Sequence, residues 1–390
     1  MIQTPKRHLS SRRTQHHRRS FTLFELMVVV VIISIIATMT LFTLFGVMEN
    51  AKEARTRSQI AKLHELIMTK WESYRTRAIP VVIPATALPR VAAQQRLAGM
   101  RELMRMELPE RKTDLIDSAV ILVKPGSSSP LQVSLWRTYR RKAGALVKAK
   151  HTTPTNPTPD WKLCDTWTPE LQGAECLYLI VSVMRDGDSN GLDFFKESEI
   201  QDTDDDGIPE IVDGWGRPIE FLRWAPGFVA VRGNDGAWGV LNVDDDGVNG
   251  TDDLGERGWP NSDDELVSDI HDRDASKSPD PFDPLKVDPR WGDNDPNNNP
   301  YNPSNDPFAL YPVIYSAGRD QLYGISTDYD TDPNTQPPPC QNYDRFRYST
   351  DSQFPNDPYH VFTLGGAQSM FGLPDKNGID NITNHALGVN

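Results

Sequence analysis

Residues 21–48, FTLFELMVVVVIISIIATMTLFTLFGVM, decide the first part of the fold because only one of them, Glu25, is charged. The next charged residue is Glu49. A helix rises about 1.5 Å per residue and a membrane core is about 30 Å thick, so this block is long enough to span a bilayer. An ionised carboxylate at the edge of such a segment costs about 2 to 3 kcal/mol. The sequence therefore predicts a transmembrane helix half in which Glu25 has a specific role.

The charge of the chain changes sign along its length. Residues 1–78 contain 13 basic and 5 acidic residues, residues 79–160 contain 13 basic and 6 acidic, and residues 161–390 contain 15 basic and 43 acidic. Much of the first surplus lies in a basic leader, residues 1–20, at Lys6, Arg7, Arg12, Arg13, Arg18 and Arg19. Because basic flanks stay in the cytoplasm, we expect a single-pass protein with a cytoplasmic N-terminus and an acidic head across the membrane.

The helix is predicted to continue beyond the apolar block. Residues 49–78 contain no Gly or Pro, and their apolar side chains recur at mostly three- and four-residue steps, which indicates an amphipathic helix half. Pro80 and Pro84 would end it. The alternatives for the N-terminus are a cleaved secretory signal, which has a shorter apolar core, a twin-arginine export signal, and an uncleaved signal anchor.

The string RRSFTLFEL, residues 18–26, resembles the class III leader of type IV prepilins and type II secretion pseudopilins. In that family a membrane-embedded aspartic peptidase cuts before the Phe and methylates the new amine. The resemblance implies cleavage between Ser20 and Phe21, although this chain has Ser20 where the family usually has Gly. It also implies that Glu25, the fifth mature residue, pairs with the N-terminal amine of a neighbouring subunit and sets register during assembly.

Two later patches resemble the major pseudopilins. DGWGRPI at 213–219 is similar to their Asp-Pro-Trp-Gly-Asn-Pro-Tyr signature, with departures at Gly214 and Arg217. SAGRDQLYGISTDYDTD at 316–332 is similar to their C-terminal loop, with Gln321 in place of a Gly. The resemblance implies a structural subunit of a type II secretion pseudopilus or of a type IV pilus-like filament.

The same resemblance implies partners and a location. The partners are the prepilin peptidase, like subunits in a filament, the inner-membrane assembly platform and membrane lipid. The protein would lie in the inner membrane, with its head in the periplasm or outside the cell, and would enter a filament after assembly.

Helical segments are also predicted after the long helix. Periodic apolar residues indicate a helix at about 92–107, within a helical or irregular insert at 79–160. A second, buried helix is expected at 169–184, although the second half of that segment is also compatible with a strand.

Strand signals follow in the acidic part of the chain. IEFLRW and GFVAVR, within 219–232, suggest a hairpin, and LYPVIYSAG at 310–318 suggests another strand. The Pro/Asn/Asp-rich segment 278–307 is expected to be either a long ordered loop or a disordered one. We therefore expect an α+β, pilin-like fold: a long transmembrane-plus-amphipathic helix packed on a small antiparallel β-sheet head, residues 161–390, with calcium loops.

Three acidic stretches match the calcium-loop pattern D-x-[DN]-x-[DN]-G-x5-E, two of them with Asp at the last position. Alternating carboxylates point inward as such a loop coils, and the Gly permits the turn, which suits a hard cation that takes about six to eight oxygens. The predicted Ca²⁺ ligands are Asp186, Asp188, Asn190, Leu192 and Glu197 in the first loop, Asp202, Asp204, Asp206, Ile208 and Asp213 in the second, and Asn242, Asp244, Asp246, Val248 and Asp253 in the third. Too few residues separate the first two loops for paired EF-hands, so tandem loops are expected. The alternative is ordinary solvated turns.

The remaining residues indicate a structural rather than a catalytic role. Cys164 and Cys176 are expected outside the membrane, where they could form a disulfide or remain two buried thiols, and Cys340 is left over. The histidines lack metal-ligand spacing and no catalytic motif occurs, so no enzyme activity is expected. The acidic head argues against nucleic acid as a partner. The main alternative function is a membrane-anchored, calcium-binding recognition module that does not polymerise.

Overall fold

The computed structural model describes the chain from Thr22 onward, with gaps. The described residues are 22–124, 126–163, 165–226, 279–291, 307, 309–325, 358–359 and 381–386. The chain divides into two compact units, Met1–Asn50 and Ala51–Asn390. The predicted processing residues Ser20 and Phe21 lie outside the described residues.

Helix α1, Leu23–Ser73, is 51 residues long and confirms the single long helix predicted from the sequence. Among the helices of the described residues, α1 is the one that is long and apolar enough to cross a membrane, as judged by its length and composition. It begins at a reciprocal cap with Thr22. The Thr22 N–H donates to Glu25 Oε2 (2.9 Å), and the Glu25 N–H donates to Thr22 Oγ1 (3.2 Å).

Helix α1 ends at Ser73, before the prolines expected to stop it, because tertiary contacts turn the chain away. The Tyr74 hydroxyl donates to Glu107 Oε2 (3.0 Å), and Arg77 Nη2 donates to Glu107 Oε1 (2.8 Å). Lys70 Nζ lies 2.6 Å from the same carboxylate. Burial raises the pKa of Glu107, but the two cations outweigh burial and the net shift is downward.

Four shorter helices follow α1. They are α2, Pro89–Glu107; α3, Lys112–Ile116; α4, Ser134–His151; and α5, Gln172–Val181. Helix α2 confirms the helix predicted at 92–107. Helix α5 shows that the apolar segment at 169–184 is helical and does not form the alternative strand. All nine residues from Gly173 to Val181 are buried, so α5 lies within the core.

The strands are short and pair antiparallel. They are β1, Arg185–Asp186; β2, Ser189–Asn190; β3, Ile200–Gln201; β4, Glu210–Ile211; β5, Glu220–Pro226; β6, Leu310–Ser316; and β7, Ile382–Thr383. They form two two-stranded sheets, β1-β2 and β3-β4, and a three-stranded sheet of order β5-β6-β7. The pairing of β5 with β6 has an irregularity between Leu222 and Ala225. Strands β5 and β6 confirm two predicted strands, while GFVAVR at 227–232 lies outside the described residues.

The amphipathic half of α1 forms one side of the main core. Its residues Ile60, Leu63, Ile67 and Trp71 are at most 1% exposed. They belong to the same hydrophobic cluster as buried side chains from the other main elements, namely Leu103 and Met104 of α2, Tyr139 and Val147 of α4, Leu177 and Ile180 of α5, Phe221 of β5 and Ile314 of β6. This packing of helices on small antiparallel sheets is the α+β, pilin-like arrangement expected from the sequence.

Cys176 is a free, buried thiol on α5 in the structure. Burial raises the pKa of this thiol well above its ordinary value. Cys176 is thus a buried thiol in the described residues, and its pairing with Cys164 stays a prediction. Cys164 and Cys340 lie outside the described residues.

Candidate functional site

The N-terminal half of α1 presents an apolar surface within the unit Met1–Asn50. Its large apolar side chains from Leu23 to Met48 are 41 to 84% exposed. A contiguous apolar surface of this size is unfavourable in water and matches the hydrocarbon thickness of a bilayer. This helix half therefore fits a single-pass membrane anchor.

Glu25 lies in the first turn of this anchor. The Thr22 Oγ1–H and N–H both donate to its Oε2, at 3.0 and 2.9 Å, so the side chain is held at the helix N-terminus. A carboxylate is favoured there by the unpaired N–H groups of the first turn. Thr22 orients the carboxylate but carries no charge that could neutralise it.

The two patches that resemble major pseudopilins meet in the fold. Ser316 Oγ, at the end of β6, donates to Asp213 Oδ2 (2.6 Å) across 103 positions of sequence. The Tyr323 hydroxyl donates to the Pro218 carbonyl (2.7 Å). Asp213 Oδ1 accepts from the backbone N–H of Arg217 (2.9 Å), which closes the 213–217 turn. The two motifs thus form one structural feature beside the main sheet.

This feature packs against the amphipathic half of α1. Gln59 Nε2 donates to the Val212 carbonyl (3.0 Å), and the Gly214 N–H donates to Thr56 Oγ1 (2.9 Å). A Cβ placed on Gly214 would lie 2.5 Å from the Lys52 carbonyl oxygen, which is backbone and cannot rotate away. Glycine is therefore required at position 214, where the resembling family signature has Pro.

Gly214→Ala is expected to lower the free energy of unfolding by about 1 to 3 kcal/mol, because the new methyl group must push the turn away from α1. Denaturant unfolding of the full chain in detergent measures this loss. Gly46→Ala is the matched control, since a Cβ at Gly46 meets nothing within 4 Å. Equal stability of the two variants would contradict the close contact between the turn and α1.

The second predicted calcium loop contains an acidic cluster. Ligand oxygens of Asp202, Asp204 and Asp206 all lie within 4.8 Å of one another. Gly207 has a φ of 104°, the left-handed conformation that the pattern requires of its Gly. The Ile208 N–H donates to Asp206 Oδ1 (3.0 Å). Asp213, the predicted last ligand, is outside this cluster because it serves the 213–217 turn and Ser316.

Two further carboxylates that the loop pattern did not include complete the cluster. Oxygens of Glu175, Asp204 and Glu210 also lie within 4.8 Å of one another, so Asp204 belongs to both groups. Glu175 comes from α5 and Glu210 from β4, and both are 0% exposed. Sequence analysis missed both residues, and the signal that could have found Glu175 is a glutamate inside the apolar run of α5, because a buried carboxylate needs a partner.

Polar neighbours hold the cluster in place. Thr168 Oγ1 donates to Asp204 Oδ2 (2.5 Å), and the Thr168 N–H donates to Asp206 Oδ2 (2.8 Å). Trp167 Nε1 donates to Glu175 Oε2. Lys150 Nζ lies 3.6 Å from Asp202 Oδ2.

Proton affinity in the cluster is high. Burial, with the nearby Asp206 and Asp204 charges, raises the pKa of Glu175 well above its ordinary value. Burial raises the pKa of Asp206, and it raises the pKa of Glu210 to about 8. Buried carboxylates this close together resist ionising together. An arrangement of this kind can take up either protons or a cation.

The first and third predicted loops differ from the second. In the first, β1 and β2 form a tight hairpin, and Asn190 Oδ1 accepts the Leu192 N–H (3.0 Å) to cap a short 3₁₀ helix. Gly191 lies in that helix and does not adopt a positive φ, and Glu197 is exposed. The described side chains of this loop form no acidic cluster. The third loop, with Asn242, Asp244, Asp246, Val248 and Asp253, lies outside the described residues.

Comparison with known families concerns the N-terminal segment. A family model described as the prokaryotic N-terminal methylation motif matches residues 15–41, which include Glu25 and the start of α1. The chain carries a type IV prepilin-like class III leader. Such a leader implies processing by prepilin peptidase and assembly with like subunits. No curated protein and no solved structure gives a match to this prepilin-like chain.

Proposed function

We propose that this prepilin-like protein is a structural, non-catalytic subunit of a type II secretion pseudopilus or of a related type IV pilus-like filament. The observation that carries the proposal is the methylation motif at 15–41, which extends into the exposed apolar half of helix Leu23–Ser73. After cleavage before Phe21, the anchor would wait in the inner membrane. Subunits would then pack side by side through this helix half, which replaces lipid contacts with protein contacts.

Glu25 would guide that packing. A carboxylate in an apolar helix bundle is costly unless a neighbouring positive charge pairs with it. In the proposed filament the partner is the methylated amine of Phe21 on the adjacent subunit. Each addition at the inner-membrane assembly platform would lengthen the bundle and push cargo mechanically.

A pseudopilus is favoured over a pilus by the head. The contact of Asp213 with Ser316 joins the two patches that resemble major pseudopilins, and the joined feature packs on α1 near Thr56. The role of such a feature would be to fix the head on its helix. The head itself would lie in the periplasm or outside the cell.

Calcium is proposed as the structural ion of the head. The described acidic clusters could hold a metal ion, and their ligand atoms are carboxylate oxygens, which suit a hard cation such as Ca²⁺. Binding would neutralise crowded charges in a region of high negative charge. The role would be to stabilise the head rather than to catalyse a reaction.

The mass of the N-terminal peptide recovered from membranes tests the proposed processing. We expect a peptide that begins at a methylated Phe21. An intact Met1 leader, or a cut beyond Gly46, would contradict the filament proposal. The latter results would leave the alternative of an anchored or secreted calcium-binding recognition module that does not polymerise.

A further inference from the structure

We propose that Glu175, Asp204 and Glu210 bind a Ca²⁺ ion that joins helix α5, the 202–208 loop and strand β4. The assignment rests on the calcium proposal above and changes the residues that carry it. The loop pattern placed the last ligand at Asp213, whereas the fold supplies Glu175 and Glu210, which come from outside the coiled part of the loop.

Unpartnered oxygens in the core are the first argument for an ion. Among the described residues, Glu175 Oε1, Glu210 Oε1 and Asp202 Oδ1 are buried atoms with no hydrogen-bond partner. An unsatisfied buried carboxylate oxygen costs more than an unsatisfied neutral group, so the free oxygens of Glu175 and Glu210, which both cluster with Asp204, need an explanation. A cation held by Glu175, Asp204 and Glu210 would satisfy the free oxygens of both glutamates together.

The hydrogen bonds at the other oxygens are the second argument. Glu175 Oε2 accepts from Trp167 Nε1, and Glu210 Oε2 accepts the Thr203 N–H (2.8 Å). Asp202 Oδ2 accepts the Gly207 N–H (3.1 Å). Each carboxylate is thus oriented through one oxygen, and Glu175 also lies within hydrogen-bond reach of Asp206, with which it can share a proton when no cation is bound. Metal ligands are oriented by neighbours in the same way.

The oxygens of the cluster lie close enough together to share one calcium ion. Ca²⁺ binds oxygens at about 2.3 to 2.6 Å, so two oxygens on opposite sides of the ion lie about 4.8 Å apart. The oxygens of Glu175, Asp204 and Glu210 all lie within 4.8 Å of one another. Asp202 and Asp206, grouped with Asp204 by the same distance, can supply further oxygens. Mg²⁺ requires a smaller octahedron and keeps several waters, which a fully buried group such as Glu175 disfavours.

The local charge also favours a divalent ion. Five carboxylates meet here, and two described lysines border them. Lys150 Nζ contacts Asp205 and Asp202, and Lys112 Nζ is partly engaged by the carbonyl oxygens of Leu163 (2.8 Å) and Trp167 (2.7 Å). The cluster therefore keeps excess negative charge unless it takes up protons or a cation.

Calorimetric titration of Ca²⁺ into the full-length protein in detergent, after removal of metal with a chelator, tests the assignment. Glu175→Gln and Glu210→Gln keep the side-chain size and remove one charge each. We expect each variant to lose one bound ion, or to bind it at least about tenfold more weakly. Asp205→Asn is the matched control, because this side chain in the same loop is 82% exposed, and it should bind like the wild type. Mg²⁺ should bind more weakly than Ca²⁺ at this site.

Thermal unfolding gives a second readout with a distinctive sign. In the metal-free state, Glu175→Gln should unfold at a higher temperature than the wild type, because glutamine is neutral without taking up a proton, whereas the buried Glu175 carboxyl must be protonated or repel its neighbours. When calcium is added, the unfolding temperature of Glu175→Gln should rise by less than that of the wild type.

Binding that survives unchanged in both Gln variants but is lost in Asp204→Asn would overturn the roles of Glu175 and Glu210 and leave a simple loop site. If the wild type bound no Ca²⁺, both calcium proposals would be overturned. The filament proposal would be unaffected, because the Glu25→Ala variant tests it separately.

Discussion

Glu25→Ala is expected to reduce incorporation of the protein into filaments by at least about 100-fold, while membrane insertion remains intact. Removing one partner of a buried charge pair costs about 3 to 5 kcal/mol, because the other charge remains buried and unpaired. Each 1.4 kcal/mol is about a factor of ten in an equilibrium constant. Insertion should not suffer, since alanine makes the apolar block of residues 21–48 more hydrophobic.

The cap of α1 provides the control for this experiment. Thr22 Oγ1 accepts the Glu25 N–H (3.2 Å), so Thr22→Ala removes the cap contact and keeps the carboxylate. Loss of a cap costs about 1 kcal/mol, which is less than a tenfold effect. The measurement is the ratio of the protein in the sheared filament fraction to that in the membrane fraction. Equal losses in the two variants would mean that Glu25 acts only as a helix cap, and no loss in either would favour the module that does not polymerise.

Arg223→Met is expected to lower the free energy of unfolding by about 3 to 5 kcal/mol. Arg223 on β5 is 0% exposed, and its Nη1 donates to the Leu108 carbonyl (2.7 Å) and to Asp114 Oδ2 (2.9 Å). Its Nη2 donates to Glu110 Oε1 (3.4 Å). Burial raises the pKa of Asp114, but Arg223 and its neighbouring arginines outweigh burial and lower it. Methionine fills the space but leaves the buried carboxylates without this partner.

Denaturant unfolding of the full chain in detergent measures the cost. Arg57→Met is the control, since Arg57 forms an exposed pair with Glu53 one helical turn away (3.0 Å), and its loss should cost less than about 0.5 kcal/mol. A double variant, Arg223→Met with Glu110→Gln, should recover part of the lost stability, because Glu110 is then neutral while Asp114 keeps Arg111 as a partner (3.9 Å). A cost for Arg223→Met no larger than that for Arg57→Met would contradict the proposed importance of this network.

The same network explains why the packing of the insert at 79–160, apart from its helix at 92–107, could not be assigned from the sequence. Glu110 lies just before α3 and Asp114 lies within it, while Arg223 lies more than a hundred positions later on β5. Residues of this segment also share a hydrophobic cluster with α1 and β5. Such contacts join distant parts of the chain and leave no local pattern to read.

The sequence by itself determined the features that depend on neighbours along the chain. The charge-free run after Glu25 and the three- and four-residue apolar steps predicted α1, because helix formation and membrane burial depend on local composition and period. The leader was recognisable because a peptidase reads a short contiguous string. The helix at 92–107 and the strand at 310–318 followed from local patterns in the same way.

Only the tertiary structure decided where distant polar groups meet. It ended α1 at Ser73, so that Tyr74 and Arg77 reach Glu107, and it drew Asp213 to Ser316 and away from the acidic loop. It also brought Glu175 and Glu210 to Asp204, although the two glutamates lie on different elements. A spacing pattern counts positions along one loop, whereas a buried carboxylate is placed by the packing of whole elements, because packing sets which charges share a solvent-excluded space.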